Sequence, residues 1–125
     1  MNKPIETANA PKPIGPYSQA IAFGNLVWVS GCIALDAHSG AMVDENLTAE
    51  THQVLKNLKA IVEASGSSMS KIVKTTIYLT DMGSFTAVNE IYGQYFKNPY
   101  PARETVEVAA LPKGARVEIS CVASL

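Results

Sequence analysis

The chain has 125 residues, 47% of them hydrophobic and 17% charged, with a formal net charge of −1. That length reads as one domain, residues 1–125, which buries roughly two-thirds of its unfolded surface and can build a core without staples. The near-neutral balance, with Lys and Arg scattered, argues against bulk affinity for nucleic acid, and no run approaches the ~20 apolar residues of a membrane span.

The low charge fraction also points to a surface partly replaced by a subunit interface. The opening stretch MNKPIETANAPKP has neither a signal-peptide apolar region nor an Arg-rich amphipathic pattern, so a cytoplasmic location is expected. Cys32 and Cys121 form no CxxC pair and read as buried free thiols of a reducing compartment.

In chain order, NAPKPIGPYSQA is rich in proline and glycine and reads as an irregular lead-in. AIAFGNLVWVSGCIAL follows as two apolar runs around Gly24-Asn25, a hairpin signal. DAHSGAMV is a polar connection turning at Gly40. From Thr48 to Ser65, Val54, Leu55, Leu58, Ile61 and Val62 recur at helical spacing, with Thr48 as the expected N-cap and Gly66 as the stop.

KIVKTTIYLTDM alternates Val73, Thr75, Ile77 and Leu79 against Lys74, Thr76, Tyr78 and Thr80, which predicts a strand with one buried face. SFTAVNEIYGQYF returns to helical period through Phe85, Val88, Ile91, Tyr92, Tyr95 and Phe96, with Ser84 as the expected cap. Pro99 and Pro101 forbid its continuation. Two further strands are expected, Glu104 to Ala109 and Arg116 to Ala123, separated by ALPKGA. Strands alternating with helices imply a compact α+β unit: a mixed sheet with an N-terminal hairpin and both helices on one face.

Most catalytic templates are absent: there is no GxGxxG, Walker loop, GxSxG or HExxH. His38 and His52 are isolated, so no metal site is expected. Arg103 and Glu118 remain. Along the last strand Val117, Ile119 and Cys121 alternate with Arg116, Glu118 and Ser120, so Glu118 lies opposite the buried series. On pattern alone both charges read as solvated; the alternative is that they face each other across a site.

The segments GPYSQA, VSG, VNEIY and above all PARETVEVAALPKGARVEI resemble the signature segments of the RidA/YjgF family of small imine deaminases. The resemblance runs from about Pro13 to Ala123 with the motifs in family order. It implies a chorismate-mutase-like fold whose final strand inserts between the first and second core strands. It also implies a cytoplasmic homotrimer with clefts between subunits, which hydrolyses 2-imino and enamine acids to 2-keto acids and ammonia. Those substrates are released by pyridoxal-phosphate-dependent enzymes, and the hydrolysis requires no metal or organic cofactor.

The same resemblance implies a role for each matching residue. Arg103 would grip the substrate carboxylate, for which a guanidinium offers a rigid two-pronged donor. Glu118 would position and activate the attacking water. Tyr17 would hydrogen-bond substrate or water, the backbone of Ser30 and Gly31 would line the cleft, and Asn89 would reach it from the second helix. Thr105 stands where some relatives carry cysteine, which keeps a donor but loses thiol chemistry. Cys32 stands where many carry glutamine. Two rival readings are a ribonuclease or translation inhibitor, and a non-enzymatic small-acid-binding or chaperone-like trimer. Retention of both Arg103 and Glu118 weighs against the second.

Overall fold

The computed structural model describes residues 1–125. Its strands are β1 (Lys3–Ile5), β2 (Ala20–Phe23), β3 (Leu26–Cys32), β4 (Ile72–Leu79), β5 (Ala102–Glu107) and β6 (Val117–Ser124). The helices are α1 (Leu47–Ala64) and α2 (Phe85–Gly93). The six strands form one sheet in the order β1-β2-β3-β6-β4-β5. All neighbours are antiparallel except β4 and β5, which are joined by the α2 crossover and run parallel.

The β2–β3 hairpin closes at Gly24-Asn25 as expected, and Gly24 takes a φ of 64°, which only glycine adopts freely. β6 lies between β3 and β4, the two strands that flank α1 in the chain. Because β5 and β6 flank β4 on opposite sides, the short ALPKGA segment passes across the end of β4 and closes no hairpin. Two backbone bonds pin that crossing, Val108 N–H to Leu79 O (2.8 Å) and Thr80 N–H to Arg116 O (3.2 Å). The fully buried Glu50 of α1 then accepts from both Arg116 N–H and Arg116 Nε at 2.7 Å. A buried carboxylate is tolerated there because two donors satisfy it.

One face of the sheet is covered by both helices. Val27, Val29, Ile77, Leu79, Val117 and Ile119 meet Val54, Leu55, Leu58 and Val62 of α1 and Val88 and Ile91 of α2 in the main core. Each such side chain contributes about 1.5–3 kcal/mol on full burial. The other face is bare of helices. Ile21, Trp28 and Val122 form one cross-strand row on it and Glu118, Tyr78 and Val106 another; Trp28 is 44% exposed and Val106 39%.

Several expectations are corrected. The lead-in carries a strand, β1, whose three residues pair with β2; alternation is unreadable over so short a span. The N-cap of α1 is Asn46 rather than Thr48: its side chain accepts from Ala49 N–H, and the helix begins two residues earlier. Val73 is 47% exposed because a register shift between Ile72 and Lys74 places Ile72 inward instead. α2 ends at Gly93, short of Phe96, and Ser84 makes no capping bond. Asp81 caps the preceding turn instead, accepting from Gly83 N–H. β5 begins earlier and stops at Glu107.

Candidate active site

The ladder register decides how the predicted site residues group. Thr75 of β4 is opposite Arg103, and Thr75 points to the helices, where its hydroxyl bonds the Tyr92 hydroxyl of α2 at 2.8 Å. Arg103 and Thr105 therefore lie on the helix side at the sheet edge. Tyr78, on the alternate face of β4, is opposite Glu118, so Glu118 lies on the bare side. The two are also two strands apart and offset by three residues, roughly 14 Å between Cα atoms from strand spacing and rise. Within one chain the structure does not bring Arg103 and Glu118 together. It builds two half-sites.

The first half-site is an open groove of about 480 Å³ beside Arg103, lined also by Asn89, Tyr92, Gly93, Tyr100 and Pro101. Arg103 Nη1 donates to Asn89 Oδ1 at 2.7 Å, and the guanidinium lies over the rings of Tyr92 (4.9 Å) and Phe85 (5.6 Å). No carboxylate pairs with it; the ion pairs are Lys74–Glu104 and Arg116–Glu50. Its remaining N–H edge is free to take an external anion. Thr105 Oγ1 is buried without a hydrogen-bond partner, an unusual state for a hydroxyl, and Thr105 lines no part of the Arg103 groove.

The second half-site centres on Glu118. Its carboxylate lies against Gly31: a Cβ built there would fall 2.2 Å from Glu118 Oε2 and 2.7 Å from its carboxyl carbon. Glycine at this position makes room for the acid. The Glu118 carboxylate has no hydrogen-bond or ion-pair partner, and half-burial raises its pKa above the ordinary value by desolvation.

Gly31 also borders a cavity of about 40 Å³ shared with Tyr17, Ser30 and Cys32, which reaches Asn57 and Ile61 of α1 and is not lined by Glu118. Tyr17 is 48% exposed and its hydroxyl accepts from Ile14 N–H at 3.2 Å. The Ser30 hydroxyl is committed to Ser18 O at 2.6 Å, which leaves only its backbone to line a cleft. Gly31 thus touches Glu118 and shares its cavity with Tyr17 and Ser30, while Arg103 and Asn89 are bonded in the other half-site and Thr105 shares only the face of β5 with Arg103.

Reading the sequence missed Tyr92 and Phe85, which it assigned to the apolar face of the second helix. The usable signal was spacing: Phe85, Asn89 and Tyr92 fall four and three residues apart, on one stripe of α2. No three His, Cys, Asp or Glu side chains cluster in a geometry that holds a metal ion. No helix is long and apolar enough to cross a membrane.

The architecture defines the class first: an α+β protein with one mixed six-stranded sheet backed by two helices. A solved structure from Yersinia pestis, described as a protein of unknown function of the conserved Rid protein family, YyfA, has this fold. The two superpose with a TM-score of 0.97 at 48% identity, over 100% of each chain. The family model for Endoribonuclease L-PSP matches residues 7–125.

Among curated relatives, the RutC family protein y4sK of Sinorhizobium fredii is 50% identical over 100% of this chain and 99% of its own length. The human 2-iminobutanoate/2-iminopropanoate deaminase is 49% identical over 95% of this chain and 87% of its own. The chain belongs to the Endoribonuclease L-PSP family, the RidA/YjgF group expected from its motifs.

Proposed function

We propose that the protein is an imine deaminase that hydrolyses 2-imino and enamine acids of the 2-aminoacrylate and 2-iminopropanoate class to 2-keto acids and ammonia. Relatives bearing that activity in their names, at 49% and 47% identity, support the class. One observation carries the reading to residues. A guanidinium without a carboxylate partner and a half-buried carboxylate without a donor stand on opposite faces of one sheet. They serve one substrate only if Arg103 of one subunit meets Glu118 of the next. The bare face, with exposed Trp28 and Val106, supports association. A closed ring of three copies, a homotrimer, gives three equivalent sites.

In this reading Arg103 takes the substrate carboxylate through two parallel N–H···O bonds, and Asn89 holds the far side of the guanidinium. An enamine first tautomerises to its imine. Water held by Glu118 attacks the protonated imine carbon while the carboxylate accepts a water proton. That proton passes to the nitrogen of the tetrahedral adduct, the C–N bond breaks, and ammonia leaves as the Glu118 carboxylate takes the hydroxyl proton and the carbonyl forms. Gly31 gives the Glu118 carboxylate its room, and Tyr17 and Ser30 border the cavity on the other side of that glycine. The substrates fit the products of pyridoxal-phosphate-dependent enzymes, which release enamines. The ribonuclease named by the family description finds less here, since no second cation lines the Arg103 groove to clamp a phosphate.

The test is pyruvate and ammonia release from freshly generated 2-aminoacrylate, measured over the spontaneous rate. Catalysis is expected, and Arg103→Lys should lower kcat/KM by about 30- to 150-fold, the loss of the two-pronged bond, with little change in thermal midpoint. A wild-type protein that leaves the spontaneous rate unchanged refutes the reading.

A further inference from the structure

We propose that Tyr92 is a positioning residue for Arg103, with the Thr75 hydroxyl fixing the tilt of its ring; this rests on reading Arg103 as the carboxylate-binding group. Arg103 is exposed on an edge strand, where a free arginine has about 2 kcal/mol of rotamer freedom to lose on binding. An acidic partner would order it but would occupy the N–H edge a ligand needs. An aromatic ring avoids that conflict, because it engages the guanidinium face and leaves the edge open. Tyr92 supplies that face at 4.9 Å and Phe85 adds a second at 5.6 Å. Asn89, three residues before Tyr92 on the same helical stripe, takes one donor.

The platform is itself held. Tyr92 is 5% exposed and stacked on Phe96 at 4.4 Å between centroids. Its hydroxyl bonds Thr75 Oγ1 at 2.8 Å. Thr75 is also the ladder partner of Arg103. One residue of β4 therefore sets both the height of the arginine backbone and the position of the ring under its side chain. Burial of the Tyr92 phenol raises its pKa, so the hydroxyl stays protonated and the hydrogen bond persists across the physiological range. The sheet, not the substrate, orients the guanidinium, and less order remains to be gained on binding.

The experiment follows the Arg103 Nε–Hε signal by NMR in the ¹⁵N-labelled protein without substrate, alongside calorimetric titration with pyruvate as a stable 2-keto acid probe. In wild type the signal should be shifted upfield by the ring beneath it. Tyr92→Leu should return it to the ordinary arginine position and weaken pyruvate binding by about 3- to 30-fold, the span of a cation–π contact. Tyr92→Phe, which keeps the ring, should stay within about threefold.

In an Arg103→Gln background, which leaves no cation over the ring, Tyr92→Leu should cost nothing further, a result that loosened packing alone would not give. If Tyr92→Leu fails to fold, Thr75→Val removes only the hydroxyl partner and should shift the Arg103 signal partway. An Arg103 signal unmoved in both variants overturns the proposal. So does a Tyr92→Leu loss of equal size with and without Arg103. A wild-type protein without deaminase activity would sink the functional reading, while the NMR signal would still decide this one.

Discussion

Two variants, each inactive alone, should restore activity when their subunits are mixed. Arg103→Met abolishes the carboxylate half-site and keeps Glu118; Glu118→Gln does the reverse. The two side chains lie on opposite faces of the sheet, two strands apart, so no single subunit holds a complete site. In the proposed closed ring of three, each site would join Arg103 of one copy to Glu118 of its neighbour. A mixed ring of either composition then contains one boundary at which both wild-type residues meet.

Random reassembly of equal amounts makes about three-quarters of the rings mixed, each with about one intact site in three, so about a quarter of wild-type activity should return. The assay is pyruvate release from 2-aminoacrylate after joint unfolding and refolding, with each variant refolded alone as control. Sedimentation equilibrium on the same samples checks that rings have formed. Mixed samples no more active than the separate variants, with rings intact, would refute the shared site and with it the reasoning from register.

Three further outcomes are expected. Gly31→Ala should fold but lose about 10- to 100-fold in kcat, because the new methyl occupies the place of the Glu118 carboxylate and displaces it; an unchanged rate would mean that Glu118 need not be there. In an Arg103→Met background, which removes the neighbouring cation, Glu118→Gln should raise the thermal midpoint near about pH 7.5 and not near about pH 4. The folded protein holds this proton more tightly than the unfolded chain, so stability falls as pH rises from the unfolded value through the raised folded one, and removing the charge relieves that loss. Equal midpoints at both pH values would contradict it. Cys32 and Cys121 are buried, and burial pushes the Cys121 thiol up to about 12 and Cys32 higher still; a disulfide reagent should label neither in the native protein and both in denaturant, and rapid native labelling would show that the core opens.

Most local elements, and the candidate site residues, are legible in the amino-acid sequence. Apolar spacing from Val54 to Val62 specified α1, Gly24-Asn25 specified the hairpin, and alternation along Val117 to Cys121 specified β6 with Glu118 opposite its buried face. These signals are legible because they depend on residues a few positions apart. Motif likeness singled out Arg103 and Glu118, but alternation within a strand says only which face of its own strand a residue occupies. Which strand neighbours which is a long-range choice. The insertion of β6 between β3 and β4 placed Glu118 beside Gly31 and made the ALPKGA segment a crossing.

The parallel pairing of β5 with β4 put Arg103 on the helix side, over Tyr92. The shift that turned Val73 outward and the Glu50 bond to Arg116 likewise come from partners distant in the chain. Tertiary structure alone decided that the two charges face opposite ways, because sheet order and register are set by burying the whole apolar face at once, a condition that no local stretch encodes.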